Sequence, residues 1–342
     1  MHGNAFVFLR TDWDNKTIKE QKMRRRFVFD LDDTLESPGV YRDEVPEVTA
    51  WVKERWGDDG LKRMAFAWEY RTDPPSYDNG SYTFFAFPGA IELLAWTHSR
   101  GIAIDFFSGA IPERNEHLCK LMMEAAFPDG DIPPYRVFST RTHSPADDHR
   151  EDYREKYVGF FYGQRKKALR DFIVPEDEVS DTLLIEDDSS YAAKGEEGNL
   201  VLYNCGCSVF TGLKSSMESG YSDENDGLDM AHVFYLAGLL DRILEVADEK
   251  NISLRDAAVQ VQYTDEGLKF PDSADEYHKR RSERFDRTYP YMHDKKYFMR
   301  GLKILQQFNP ALDFWNGISD SWWDENGYSL RDAYWRNQAK GE

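Results

Sequence analysis

Apolar runs along this chain repeatedly end in acids or in small polar residues. Phe27-Val28-Phe29 leads into Asp30-Leu31-Asp32-Asp33-Thr34-Leu35. The run from Ile102 to Phe107 leads into Ser108-Gly109, and Thr182-Leu183-Leu184-Ile185 into Glu186-Asp187-Asp188. Short continuous apolar runs bounded in this way predict buried strands. Arg136-Val137-Phe138-Ser139 and Leu200-Val201-Leu202-Tyr203 predict two more. Between them the apolar positions take a helical period. Ile91, Leu93, Leu94 and Trp96 mark one helix, which Pro88 opens and Gly101 stops. Residues 113–126 predict a second helix, and 163–172 predict the start of a third. Strand, crossover helix and strand in succession predict an α/β fold with a parallel sheet flanked by helices. Such sheets keep their sites at the carboxyl ends of the strands.

The pattern is interrupted twice. After the turn signal Glu36-Ser37-Pro38-Gly39, the positions Val45, Val48, Val52, Trp56, Leu61, Met64 and Trp68 follow a broadly helical spacing. Gly57-Asp58-Asp59-Gly60 divides them, and residues 73–80 predict a loop. Residues 36–85 are therefore expected to form a small helical cap insertion above the first strand. The second change comes beyond 212. Residues 214–227 are rich in Ser, Gly, Asp and Glu and predict a linker. Val233, Leu236, Leu239, Leu240, Ile243 and Leu244 then predict an amphipathic helix at the head of a mainly helical C-terminal region, 225–342. The division expected is a 1–22 extension, a 23–212 core and that helical region. Phe6-Val7-Phe8-Leu9 is a leader or an edge strand. Arg24-Arg25-Arg26 and the later Lys279-Arg280-Arg281 with Arg284 are expected to be solvated faces. The C-terminal Trp and Tyr residues are expected to pack in a core.

Charge narrows the function classes. The formal net charge of −19 argues against non-specific nucleic-acid binding, which needs a basic surface. Three cysteines, Cys119, Cys205 and Cys207, are odd in number and too few for a disulfide framework in a chain of 342 residues. Cys205-Gly206-Cys207 lacks the further ligands of a zinc site, and His143 and His149 are expected to be solvated in a polar loop. There is no signal-peptide pattern, with a basic head leading into a long apolar run, and no apolar stretch of membrane-spanning length, so a cytoplasmic protein is expected.

The candidate chemistry sits where the strands end. Asp30 and Asp32, two apart on a continuing strand, would share a face, and the repulsion between them would be relieved by a divalent cation. With Thr34, Ser108, Lys166 or Lys167, and Asp187 with Asp188, they make a set suited to phosphoryl transfer through an aspartyl phosphate. Asp30 would be the nucleophile. Asp32 would protonate the leaving oxygen and then activate water. Mg²⁺ held by Asp30, the Asp32 backbone carbonyl and Asp187 would supply positive charge, the lysine would pair with Asp30, and Ser108 would hydrogen-bond the phosphoryl oxygens.

At these residues the sequence resembles the haloacid dehalogenase-like (HAD) superfamily of phosphatases. Asp30-Leu31-Asp32-Asp33-Thr34 matches its DxDxT signature. Phe106-Phe107-Ser108-Gly109 looks like its second motif, the lysine its third, and Ile185-Glu186-Asp187-Asp188 its fourth. The resemblance runs from Arg26 to Thr211. It implies a Rossmann-like core, with Asp30, Asp32 and the lysine as catalytic residues. Thr34, Ser108, Gly109 and Lys166 would bind substrate, and Asp30, Asp32, Asp187 and Asp188 would hold the metal. Lys167-Ala168-Leu169 looks like the KDL form of the carboxyl-terminal-domain phosphatase branch, which places Lys167 ahead of Lys166. Three consecutive acids leave Glu186 as the alternative to Asp187. The activity implied is a Mg²⁺-dependent phosphomonoesterase acting on a phosphoprotein or a small phosphorylated metabolite. The alternative is a catalytically weak member that docks partners through its C-terminal helices.

Overall fold

In a computed structural model, the chain is described at residues 25–32, 34–36, 40–41, 45–70, 80–140, 166–187, 191–202, 232–265, 269–273, 276 and 295–309. Five of the strands form one all-parallel sheet. They are β1 (Arg26–Phe29), β5 (Ala103–Ser108), β6 (Tyr135–Ser139), β7 (Thr182–Glu186) and β8 (Leu200–Leu202), in the order β6-β5-β1-β7-β8. The most apolar of the runs, Phe27-Val28-Phe29, occupies the centre of this sheet and is fully buried. Phe29 is in register with Phe106 on one side and Ile185 on the other. The three runs that end in polar residues therefore end at one edge. The architecture is a Rossmann-like α/β fold.

Helix α2 (Ala90–Ser99) crosses from the inserted segment to β5, and α3 (Pro112–Ala126) crosses from β5 to β6. Both follow the predicted spans, and Pro112 sits at the start of α3, where its missing N–H costs nothing. Beyond the sheet, α5 (His232–Lys250), α6 (Leu254–Val259) and α7 (Lys295–Leu305) join the same hydrophobic cluster as the strands. Val233, Phe234, Leu236, Leu240 and Ile243 are buried in it, with Tyr297, Phe298 and Leu305 of α7. The predicted amphipathic face is thus turned onto the core, and the described C-terminal tyrosines pack there as expected. Helices α5 and α7 approach backbone to backbone at two glycines. A Cβ on Gly238 would overlap the Tyr297 carbonyl, and one on Gly301 the Phe234 carbonyl. After α6 a π-helical turn (Gln260–Thr264) buries Gln262, whose amide closes the open edge of β8. Its Oε1 accepts from Leu202 N at 3.2 Å and its Nε2 donates to Leu200 O at 3.0 Å.

Three expectations need correction. The inserted segment does carry a helix, α1 (Val45–Met64), kinked at Gly57 with φ of 71°. However, Trp68 is not on a helix. Residues Ala65–Tyr70 form β3, which pairs antiparallel with β4 (Gly80–Phe85), and β4 pairs in turn with β2 (Val40–Tyr41). The order of this second sheet is β2-β4-β3. The spacing of Trp56, Leu61, Met64 and Trp68 imitated a helix, while the true signal was the alternation of buried Phe66 with exposed Ala67 and Glu69. Next, of the helix start expected over 163–172, the described residues 166–168 are not helical, and a short helix, α4 (Leu169–Phe172), follows them. Lys167 precedes it in extended backbone, bridged to Ala192. Finally, Arg25 and Arg26 are not a solvated flank. Arg25 pairs with Asp248 at 2.6 Å, and Arg26 pairs at 2.5 Å with Asp105, which also receives Arg136. Tyr135 and Glu186 each extend a predicted strand by one residue.

The 1–22 extension, the 141–157 loop with His143 and His149, Cys205 and Cys207, the 214–227 linker, the basic cluster from Lys279 to Arg284 and the tryptophans from 315 onward lie outside the described residues. Among the described residues no helix is long and apolar enough to cross a membrane.

Candidate active site

Asp30 is the first residue past β1. Its N–H donates to the Ile185 carbonyl at 2.9 Å, which extends the parallel ladder by one rung and aims the carboxylate at the sheet's carboxyl edge. The chain then folds back sharply. The Leu31 carbonyl accepts from the N–H groups of Thr34, Leu35 and Glu36 at 3.2, 2.9 and 3.0 Å. Glu36 is thereby bridged both to Asp32 and to Ala86 at the end of the inserted sheet. Thr34 Oγ1 reaches Asp30 Oδ2 at 3.5 Å.

Around Asp30 the site is buried, and among the described residues it holds more acids than cations. Lys167 Nζ donates to Asp30 Oδ1 and to Glu186 Oε2, each at 2.5 Å. Lys167 and Glu186 are completely buried and Asp30 nearly so. The Lys167 ammonium also lies 4.4 Å from the centre of the Tyr191 ring, while its backbone N–H donates to the Tyr191 carbonyl. Burial opposes the charge on Lys167, but the carboxylates of Asp30 and Glu186 more than offset it and hold its pKa above the ordinary lysine value. One ammonium cannot serve both acids. Burial lifts Asp30 above the usual carboxylate range despite Lys167, and the nearby Asp32 adds to the rise. Burial and the proximity of Asp30 lift Glu186 well above it.

This charge deficit is the test of a metal site. Asp30, Glu186 and Asp187 each offer an oxygen, and these oxygens all lie within 4.8 Å of one another. A set of hard carboxylate oxygens, two of them buried and incompletely neutralised, fits a hard divalent cation.

Asp32 faces a different environment. Arg114, on the first turn of α3, grips it with both nitrogens: Nη1 donates to Oδ2 at 2.8 Å and Nη2 to Oδ1 at 2.5 Å. Nη2 also donates to Glu36. The guanidinium lies 4.5 Å from the centre of the Phe84 ring of β4. Ser108 Oγ donates to Asp32 Oδ2 at 3.3 Å and accepts from Ala110 N at 3.1 Å. Burial pushes the Asp32 carboxyl up, but the Arg114 guanidinium more than compensates and holds it below the ordinary value. Its side chain keeps 36% of its surface exposed, so this is the acid that opens toward solvent.

The structure thus brings Asp30, Asp32, Thr34, Ser108, Lys167, Glu186 and Asp187 to one place. Of the two candidate lysines, Lys167 is the one bonded to Asp30 and Glu186. Lys166 is half-buried and sits where its charge acts on Glu197. Gly109 lies beneath Tyr191, whose hydroxyl would stand 3.1 Å from a Cβ there. Asp33 and Asp188 lie outside the described residues. Sequence reasoning missed Arg114, Glu36 and Tyr191. Arg114 did leave a trace: a cation in the first turn of a helix opposes the helix dipole and calls for a carboxylate partner.

No known family profile matches the chain, and no curated relative matches it. Among solved structures it is similar to a single-residue variant of Fcp1, a fission yeast RNA polymerase II CTD phosphatase, bound to beryllium fluoride. That match has 16% identity and a TM-score of 0.35, and covers 57% of this chain and 45% of the other. It is also similar to a structure of Fcp1 described as an essential RNA polymerase II CTD phosphatase, with 15% identity, a TM-score of 0.36 and coverage of 61% and 52%. The chain spans about half the length of these structures. At this level of likeness, the reading of the site rests on its own geometry.

Proposed function

We propose that the protein is a Mg²⁺-dependent phosphatase that hydrolyses phosphomonoesters through a phosphoryl group carried on Asp30. The observation that carries this reading is the pairing of Asp30 with Lys167 inside a cluster of carboxylates, one residue past the central strand. A free Asp30 oxygen forms a bond to phosphorus as the ester P–O bond breaks. The leaving oxygen takes its proton from Asp32. Water then attacks phosphorus and the acyl-phosphate P–O bond breaks. Asp32 takes the water's proton and releases it to solvent, and it takes one up from solvent again before the leaving oxygen of the next turnover needs it. Asp32 is ionised at rest, which matches it to the second of these roles.

Lys167 holds the Asp30 carboxylate in place and offers an ammonium to the phosphoryl oxygens, and Ser108 offers its hydroxyl. Asp30 and Asp187, with Glu186 in reach, would hold the cation, which when bound supplies positive charge against the phosphoryl oxygens. A phosphoprotein and a small phosphorylated metabolite are the two substrate classes the reading admits. Nucleic acid is disfavoured by the net charge of −19.

The test is turnover of p-nitrophenyl phosphate with Mg²⁺ and with a chelator, beside Asp30→Asn. Turnover that needs the cation and is lost in the variant is expected. Equal rates in wild type and Asp30→Asn would overturn the reading. A panel of phosphopeptides, sugar phosphates and nucleotides would then select the substrate class.

A further inference from the structure

Of the residues that carry the proposed chemistry, Ser108 reaches Asp32, donating to Oδ2 at 3.3 Å, but the stronger hold comes from elsewhere. Both of its oxygens are taken by one guanidinium, that of Arg114, in a fork that fixes the plane of the carboxylate as well as its position. Arg114 is in turn held from the inserted segment. Glu36, completely buried, accepts from Nη2, and the Phe84 ring of β4 lies against the guanidinium plane. The Arg114 side chain is only 6% exposed, so it has little freedom to swing toward a ligand. Glu36 and Phe84 both belong to the segment between β1 and α2, whose second sheet, β2-β4-β3, is no part of the parallel core.

We infer that Arg114 is a positioning residue for proton transfer, and that through it the inserted sheet sets the placement of the Asp32 carboxylate. The inference rests on the phosphatase reading. Arg114 acts through Asp32 and not on phosphate, because its donors are directed at Asp32 and Glu36. A carboxylate that must protonate a leaving oxygen and later deprotonate water has to present the same oxygen twice, and small displacements cost rate. A lysine could supply the charge at this place, but not the fork.

The experiment compares kcat/KM for p-nitrophenyl phosphate and for phenyl phosphate, whose poorer leaving group depends more on the acid. Wild type, Arg114→Met and Arg114→Lys are measured, with inhibition by inorganic phosphate and a melting curve for each. For Arg114→Met the expected loss is about 100-fold with phenyl phosphate and several-fold less with p-nitrophenyl phosphate, with inhibition by phosphate unchanged. Arg114→Lys is expected to recover melting temperature but not the phenyl phosphate rate. It carries the test if Arg114→Met does not fold. Equal losses on the two esters, weakened phosphate inhibition, or full recovery in Arg114→Lys would each overturn the inference while leaving the phosphatase reading standing. An inactive wild type would overturn both.

Discussion

Removal of the Lys167 ammonium tests the charge balance of the site without reference to any substrate. Lys167→Met keeps most of the volume of a completely buried side chain but leaves Asp30 and Glu186 facing each other without their shared cation. Breaking a buried pair by removing one partner costs about 3–5 kcal/mol, because the remaining charge must be neutralised or left unpaired. Lys167 bonds two carboxylates at once, so the upper half of that range is expected. The assay is urea unfolding of wild type and variant at neutral pH in the presence of a chelator. The sign of the pH dependence follows from the site. In the variant the two acids can be accommodated only by taking up protons, so they bind more protons folded than unfolded. Stability of the variant therefore rises as pH falls toward the ordinary carboxylate range. Each extra proton narrows its gap to wild type by about 1.4 kcal/mol per pH unit. Adding Glu186→Gln to the variant removes one of the stranded charges and is expected to recover a large part of the loss. A variant as stable as wild type at neutral pH, or a gap that does not change between neutral and acidic pH, would refute the account of Lys167 as the shared counter-ion.

Other outcomes follow from the same geometry. Mg²⁺ is expected to bind the folded state preferentially, stabilising wild type by about 2.7 kcal/mol at a hundred times its Kd and so raising its melting temperature. Asp187→Asn is expected to lose most of that rise, and an unchanged rise would remove Asp187 from the site. Asp32 has its pKa held below the ordinary 3.8, so its contribution is present above that value and lost as pH falls through the folded-state pKa. The stability difference between wild type and Asp32→Asn should therefore shrink in acid, and a difference constant down to about pH 2 would contradict the Arg114 fork. Gly238→Ala and Gly301→Ala place a methyl group into the opposing backbone and should each cost about 1–3 kcal/mol or more by thermal melting. Wild-type stability in both would mean that α5 and α7 do not meet there.

The parallel sheet was legible because β1, β5, β7 and β8 are largely buried on both faces and so read as continuous apolar runs. The inserted sheet was not. In β3 the alternation is carried by Ala65, Phe66 and Ala67, whose small members give a weak contrast. A helical spacing of tryptophans upstream then dominated the pattern. In the site, the residues that end strands could be found from local sequence alone: Asp30 after β1, Ser108 at the end of β5, Glu186 and Asp187 at the end of β7. Lys167 was placed near its partners although its backbone was read as helical, since the extended bridge to Ala192 depends on a segment far along the chain. Arg114 and Glu36 were illegible for a different reason. Each is an ordinary charged residue until the Leu31 turn and the first turn of α3 bring them within bonding distance, and no local pattern encodes that meeting.

Asp30 and Asp32 stand two residues apart, and the chain assigns them opposite proton affinities. The division comes from how the turn after β1 points them. Asp30, still paired to β7 through its N–H, is carried inward among Glu186, Asp187 and the Lys167 ammonium, where burial raises its pKa despite Lys167. Asp32, beyond the ladder, is turned outward to a guanidinium and a serine hydroxyl, with a third of its side chain exposed, and is held as a carboxylate. Divergent environments for two like groups mark divergent roles. A raised pKa in a buried acid is a standing demand for more positive charge, which suits the position that meets a cation and a phosphoryl group together. A lowered one in an accessible acid suits the position that receives a proton from water. Sequence spacing alone, which places both carboxylates on one face, would have made them equivalent. The asymmetry is produced by the partners, Lys167 shared with Glu186 on one side and Arg114 shared with Glu36 on the other.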